Sequence, residues 1–225
     1  MTATPQGSMT GLTAADGHSF DCWVEPAQDP ARGGLVVIQE IFGITDQLKE
    51  LAAAYAADGY EVAIPGLFDR QEPGVVIPFS EGPRGRELMM ASDPDKAVMD
   101  IAAAVQSLKS KGKVAVMGFC WGGGLTIRAA QDLDIAAAIS FYGTRLPEYL
   151  DRSAEAPLQG HFGTSDSHTP PEDLAQAQAY FTDFKVYIYD AGHAFANHHR
   201  PESYNEAAAN LAHERARAFL ALHVG

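Results

Sequence analysis

VAVMGFCWGGG, residues Val114 to Gly124, sets an apolar run directly against a cluster of glycines, with a cysteine at the joint. The run reads as a buried strand, and the segment from Trp121 reads as the start of a helix. Cys120 stands between them, with Gly118 two positions before it and Gly122 two positions after. This G-x-C-x-G spacing is that of a strand–turn–helix elbow, which raises a nucleophile out of a sharp bend. Glycine is needed on either side because side chains there would run into the adjoining strand and helix. Two chemical consequences follow. The N–H of Trp121 opens toward the raised side chain and can hold an oxyanion. The start of a helix also favours a thiolate. The bland alternative is a buried structural cysteine in a glycine-rich turn.

Outward from the elbow, short apolar runs alternate with helical patterns. Residues 34–39, 61–65, 113–118, 135–143, 156–163 and 184–190 read as strands. Residues 46–59, 93–112, 171–181 and roughly 202–223 read as helices, as does the segment from Trp121. Such alternation predicts an α/β domain with a mostly parallel central sheet covered by helices on both faces. The whole chain, 1–225, is expected to form one domain. SFDCWV near the N-terminus alternates and predicts an antiparallel edge strand, in which Cys22 serves packing. Residues 68–92 are rich in Gly, Pro and charge and interrupt the alternation. They read as a long loop of the lid or substrate-binding kind.

The 225 residues carry 16 basic and 29 acidic side chains, a net charge of -13. Such a surface repels phosphate backbones and speaks against nucleic-acid binding. Only two cysteines are present, which predicts a reduced, cytoplasmic protein rather than a disulfide scaffold. No apolar run is long enough for a membrane helix, and the start MTATPQGS lacks the features of a secretory leader.

Nucleophile elbows of this kind are followed along the chain by an acid and then a histidine. After Cys120, the stretch GHFGTSDSH offers Asp166 just past a strand, and VYIYDAGHAF offers His193 just past the last one. Both fall at the carboxyl ends of strands, where such sheets place their sites. His193 would take the Cys120 proton, and Asp166 would hold the imidazole in tautomer and orientation. His161 is expected to be packed within a strand, His168 to be solvated, and Asp190 to be structural. The pair His198 and His199 suggests a metal. However, no paired-cysteine motif or helical ligand spacing accompanies it, so no metal and no cofactor are expected.

With these motifs in view, the chain resembles the dienelactone hydrolase family (carboxymethylenebutenolidases) of the α/β-hydrolase superfamily, from about Gly17 to Phe219. The matching stretches, in order, are QEIFG (39–43), FDRQEPG (68–74), GFCWGG (118–123), FYG (141–143), GTSD (163–166) and AGHAFA (191–196). The resemblance implies hydrolysis of an enol lactone, such as dienelactone to maleylacetate, in aromatic breakdown. It implies Cys120, Asp166 and His193 as a triad, with no cofactor. It further implies that Glu40 holds the resting thiol and moves when substrate binds. From the residues alone, Glu40 is a carboxylate at the end of a buried strand, where an unpaired charge is costly. A salt bridge to an arginine is the structural alternative.

The backbone N–H of Ile41 would be the second oxyanion donor. Arg70 matches an arginine that binds the substrate carboxylate, and a guanidinium suits that task. A solvated loop arginine is the plain alternative. Tyr142 ends a strand near the site and is expected to line the pocket. Four residues after His193, where the family carries a second arginine, this chain has Asn197, which is expected to contact the substrate in its place. Arg200 is the nearest replacement, and substrate charge preference is open. A carboxylesterase or thioesterase on the same scaffold is therefore the first rival. A binding protein with a disused elbow is the second, although a binder needs none of Glu40, Cys120, Asp166 and His193. The expected partner is a small-molecule lactone or ester, and the expected assembly a monomer or homodimer.

Overall fold

The structure, a computed structural model, describes residues 4–27 and 30–225. Residues 1–3, part of the stretch read as lacking a leader, lie outside it. Eight strands form one sheet: β1 (Ser8–Thr13), β2 (Ser19–Glu25), β3 (Gly33–Ile38), β4 (Tyr60–Pro65), β5 (Val114–Phe119), β6 (Ala137–Phe141), β7 (Leu158–Gly163) and β8 (Lys185–Tyr189). Their spatial order is β1-β2-β4-β3-β5-β6-β7-β8. β1 and β2 pair antiparallel, as do β2 and β4, and the pairs from β4 through β8 are parallel. β2 is thus antiparallel as expected, but it is not an edge. The short polar run SMTGLT covers it, a strand whose mostly exposed residues give little hydrophobic signal.

Six helices accompany the sheet: α1 (Asp46–Ala57), α2 (Gly82–Ala91), α3 (Pro94–Leu108), α4 (Trp121–Asp132), α5 (Pro171–Tyr180) and α6 (Glu206–His223). β3 shows how the layers are written in sequence. Val36 and Ile38 pack with Ile101 of α3 and Leu125 of α4 on one face. Leu35 and Val37 pack with Leu48 of α1 and Leu220 of α6 on the other. All six β3 residues are buried, so the run is continuously apolar rather than alternating, as a strand covered on both sides must be. Cys22 lies in the first of these cores, and burial pushes its thiol up to about 12, which fits a packing role.

Residues 68–92 are not all loop. They hold a 3-10 turn at Phe79–Glu81 and then α2. Gly82, Pro83 and Gly85 mask that helix in the sequence, because glycine weakens helices and proline breaks all but their first turn. Among the described residues, no helix is long and apolar enough to cross a membrane.

Candidate active site

The parallel strands run outward on either side of the β3–β5 junction, and such a switch in strand order opens a crevice at their carboxyl ends. Glu40 follows β3, Cys120 follows β5, Tyr142 follows β6, Asp166 follows β7 and His193 follows β8. The turns that deliver them are strained. Among the described residues, the non-glycine positions at positive φ are Cys120 (55°), Tyr142 (38°), Arg145 (61°) and Ala194 (61°). All four lie within or beside this crevice, where such strain collects in functional sites. Cys120 can hold its bend because of its glycines. A Cβ on Gly118 would collide with the carbonyl of Gly122, and one on Gly122 would come within 2.5 Å of the carbonyl of Gln39. The elbow therefore packs backbone against backbone.

Cys120 is partly exposed and lines the same crevice as His193, on whose charge it acts. His193 Nδ1 lies 2.8 Å from Asp166 Oδ2. The other Asp166 oxygen accepts the His168 N–H at 2.8 Å, so both carboxylate oxygens are held. Burial works against a charge on His193, but the sulfur and the carboxylate outweigh it and raise its pKa to about 10. An imidazole held by a buried carboxylate in this way is placed to take and return a proton in the crevice. The three residues read from the sequence as a triad are thus brought together.

Trp121 is the first residue of α4, so its N–H has no partner within the helix. Its ring stacks on Phe68 at 5.3 Å, which fixes the start of the helix. Ile41 lines the crevice. Its N–H belongs to the same peptide as the Glu40 carbonyl, and a trans peptide points the two groups in opposite directions. Gln39, wholly buried, donates its Nε2 to that carbonyl at 3.2 Å and accepts the Leu67 N–H on Oε1 at 3.1 Å. Gln39 thereby sets the direction of the Ile41 N–H. Sequence reasoning passed over it; the one available signal was a side-chain amide in an otherwise apolar strand end.

Several expectations change here. Arg70 does not reach the crevice. Its Nε and Nη2 each donate to Asp100 at 2.8 Å, and its Nη1 and Nη2 donate to Asp16 at 2.8 and 3.1 Å. With its donor fork turned onto two carboxylates, it ties β-sheet edge, loop and α3 together. Tyr142 and Asn197 are also withdrawn from substrate, each only 1% exposed. Tyr142 Oη donates to Glu40 Oε1 at 3.1 Å, and Asn197 Nδ2 donates to Glu40 Oε2 at 3.0 Å. Both Glu40 oxygens are therefore taken by neutral donors and not by the Cys120 thiol. Burial raises the Glu40 carboxyl above the ordinary range, against the opposing pull of His193 and Asn197.

The crevice itself has a volume of roughly 1250 Å³ and is roofed by α2. Three arginines line it: Arg86, Arg145 and Arg200. Arg145 pairs with Glu148 at 2.8 Å, and Arg200 pairs with Glu202 at 3.1 Å. Among the described residues, no ion pair engages Arg86, which leaves an available guanidinium on the roof helix. His168 is exposed, as expected, and also lies against His193 with ring centroids 4.3 Å apart at the edge of the crevice. Burial and the neighbouring His193 lower its pKa. His161 is buried in β7 as expected, 2.7 Å from Tyr189 Oη.

An eight-stranded, mostly parallel sheet with a strained nucleophile elbow at its centre defines an α/β-hydrolase, and solved structures agree. A dienelactone hydrolase-like promiscuous phosphotriesterase from metagenomic libraries superimposes with a TM-score of 0.80 at 20% identity, covering 97% of this chain and 99% of that one. An esterase of Pyrococcus furiosus does so with a TM-score of 0.72 at 14% identity, covering 98% and 94%. The family model of the Dienelactone hydrolase family matches residues 21–224, and the chain belongs to that family. It is 33% identical to a carboxymethylenebutenolidase of Pseudomonas putida over 224 residues, covering 93% of this chain and 94% of the relative. The protein is a hydrolase acting on esters.

Proposed function

We propose that the chain hydrolyses a small acidic enol lactone of the dienelactone type through Cys120, His193 and Asp166. The observation that carries this reading is the Cys120 sulfur facing an imidazole whose far nitrogen is held 2.8 Å from a buried carboxylate, at the floor of an open crevice. The substrate carboxylate is assigned to Arg86, whose guanidinium faces that space unpaired. The thiolate attacks the lactone carbonyl, and the oxyanion is held by the N–H groups of Trp121 and Ile41. As the tetrahedral centre collapses, the ring C–O bond breaks. The leaving enolate takes the proton of the His193 imidazolium and becomes a ketone, and the acyl group stays on sulfur as a thioester. His193 then removes a proton from water, whose oxygen displaces the sulfur and regenerates the thiolate. Glu40, buried between Tyr142 and Asn197, shapes the wall beside the nucleophile. Two free cysteines suit a reducing cytoplasm.

A carboxylesterase or thioesterase preference on the same site is the second reading. One observation favours it: Glu148 and Glu202 already neutralise two of the three arginines in the crevice. Steady-state kinetics on both dienelactone isomers beside p-nitrophenyl acetate separate the two. The acidic-lactone reading expects Cys120→Ala to lose both activities. It expects Arg86→Ala to lower kcat/KM on lactone by about 10- to 100-fold, the worth of a charge-assisted hydrogen bond, with the neutral ester little changed. Equal losses on lactone and ester would count against Arg86 as the anchor. A wild-type kcat/KM higher on the ester would favour the second reading.

A further inference from the structure

Outside the crevice, two histidines and a glutamate converge on one point. Glu50 projects from α1, while His198 and His199 sit on the segment that links β8 to α6. His198 Nε2 lies 2.7 Å and His199 Nε2 3.2 Å from the same oxygen, Glu50 Oε2. All three ligand atoms fall within 4.8 Å of one another. We infer that Glu50, His198 and His199 form a binding site for a divalent transition metal of the zinc type, separate from the ester-hydrolysing centre.

Two imidazoles and a carboxylate are a donor set that borderline divalent ions take, and three protein ligands leave room for water in the fourth position. The geometry is close to what such an ion needs. Ligands about 2.1 Å from a tetrahedral ion stand about 3.4 Å apart, so His198 has to draw back from Glu50 Oε2 by about 0.7 Å and His199 by about 0.2 Å. The two rings are already crossed at 78°, with centroids 4.6 Å apart, so each nitrogen approaches the shared point from its own direction. The segment that carries them is held in place. Asn197 N–H donates to the Ala194 carbonyl and Arg200 N–H to the Asn197 carbonyl, each at 3.0 Å, while His199 N–H donates to Asn197 Oδ1 at 3.1 Å.

The side chains are 26%, 22% and 35% exposed for Glu50, His198 and His199, enough to admit an ion and its water from solvent. Asn197 joins this cluster to the crevice, since its other side-chain atom donates to Glu40. An ion here would clamp α1 to the segment that supports Glu40.

Titration calorimetry of the EDTA-stripped full chain with zinc chloride tests the site. Cys120→Ala serves as the background, so that a thiolate-bound ion at the crevice is not counted. The expected result is one zinc per chain with a Kd on the order of 10 µM or tighter. Adding His198→Ala with His199→Ala, or Glu50→Gln alone, should weaken it by about 100-fold or more. Zinc should also raise the unfolding temperature of the Cys120→Ala background but not of its Glu50→Gln derivative. Glu50→Gln is nearly isosteric and carries the test if the double alanine variant does not fold. Binding that is unchanged by Glu50→Gln, or no binding below about 1 mM, overturns the inference.

Discussion

Replacing Gln39 with leucine should cripple turnover while leaving substrate binding nearly intact. Gln39 touches no substrate; it lies wholly buried beneath the Glu40–Ile41 peptide. Leucine keeps most of its volume but removes both hydrogen bonds, the one to the Glu40 carbonyl at 3.2 Å and the one from Leu67 N–H at 3.1 Å. Each loss leaves a buried backbone group unsatisfied, at about 1–3 kcal/mol apiece, so stability should fall by about 2–6 kcal/mol. The kinetic effect comes from the same peptide. Freed from its anchor, the Ile41 N–H no longer points at the developing oxyanion, and losing one such donor costs about 10²–10³ in kcat. The ground-state carbonyl depends less on that donor, so KM should move by less than about threefold. Urea unfolding gives the stability and p-nitrophenyl acetate turnover gives kcat and KM. A variant that is destabilised as stated yet keeps kcat within about threefold of wild type would refute the positioning role, because the peptide would then be held without Gln39.

Two further outcomes concern stability. Arg70→Ala strips Asp100, whose side chain is wholly buried, of its cationic partner. The loss should be about 3–5 kcal/mol, whereas Arg86→Ala on the roof helix should cost under about 0.5 kcal/mol; denaturant midpoints that rank them the other way would return Arg70 to the crevice. His213 is fully buried against Tyr55 Oη at 2.9 Å, and burial pushes its pKa down to about 3. An unfolded imidazole takes its proton near pH 6.5, so between these values the unfolded chain binds a proton that the folded one does not. Stability from this group is therefore complete above about pH 6.5 and lost as pH falls, by about 2 kcal/mol at pH 5; buried His161, also held well below its usual value, acts in the same direction. The check is the urea midpoint at pH 7.5 and 5.0, which should fall less on acidification in His213→Leu, and an identical pH slope in that variant would contradict the assignment.

The architecture was largely legible because parallel strands buried on both faces leave unbroken apolar runs, and Leu35 to Ile38 is one of them. The elbow was legible because close backbone packing at Gly118 and Gly122 admits no side chain. Helix α2 was not, since Gly82, Pro83 and Gly85 speak against a helix and only Gly85 is buried, so no broad apolar stripe marks it. Which way a side chain points was harder still. Arg70 sits in a motif beside the site, but Asp16 and Asp100, 54 and 30 positions away in the chain, draw it off. Asn197 and Tyr142 read as pocket residues, yet the positive φ at Tyr142 and the turn after Ala194 send both beneath Glu40.

The central claim is that the Cys120 sulfur becomes acylated during turnover. Acid-quenching the enzyme within the first turnover of p-nitrophenyl acetate and mapping the added mass by peptide mass spectrometry tests it directly. The account predicts one acetyl group on Cys120, gained as the p-nitrophenolate burst appears, lost on standing, and absent from Cys120→Ala. An unmodified Cys120 during full-rate turnover, or an acetyl group on any other side chain, would contradict it.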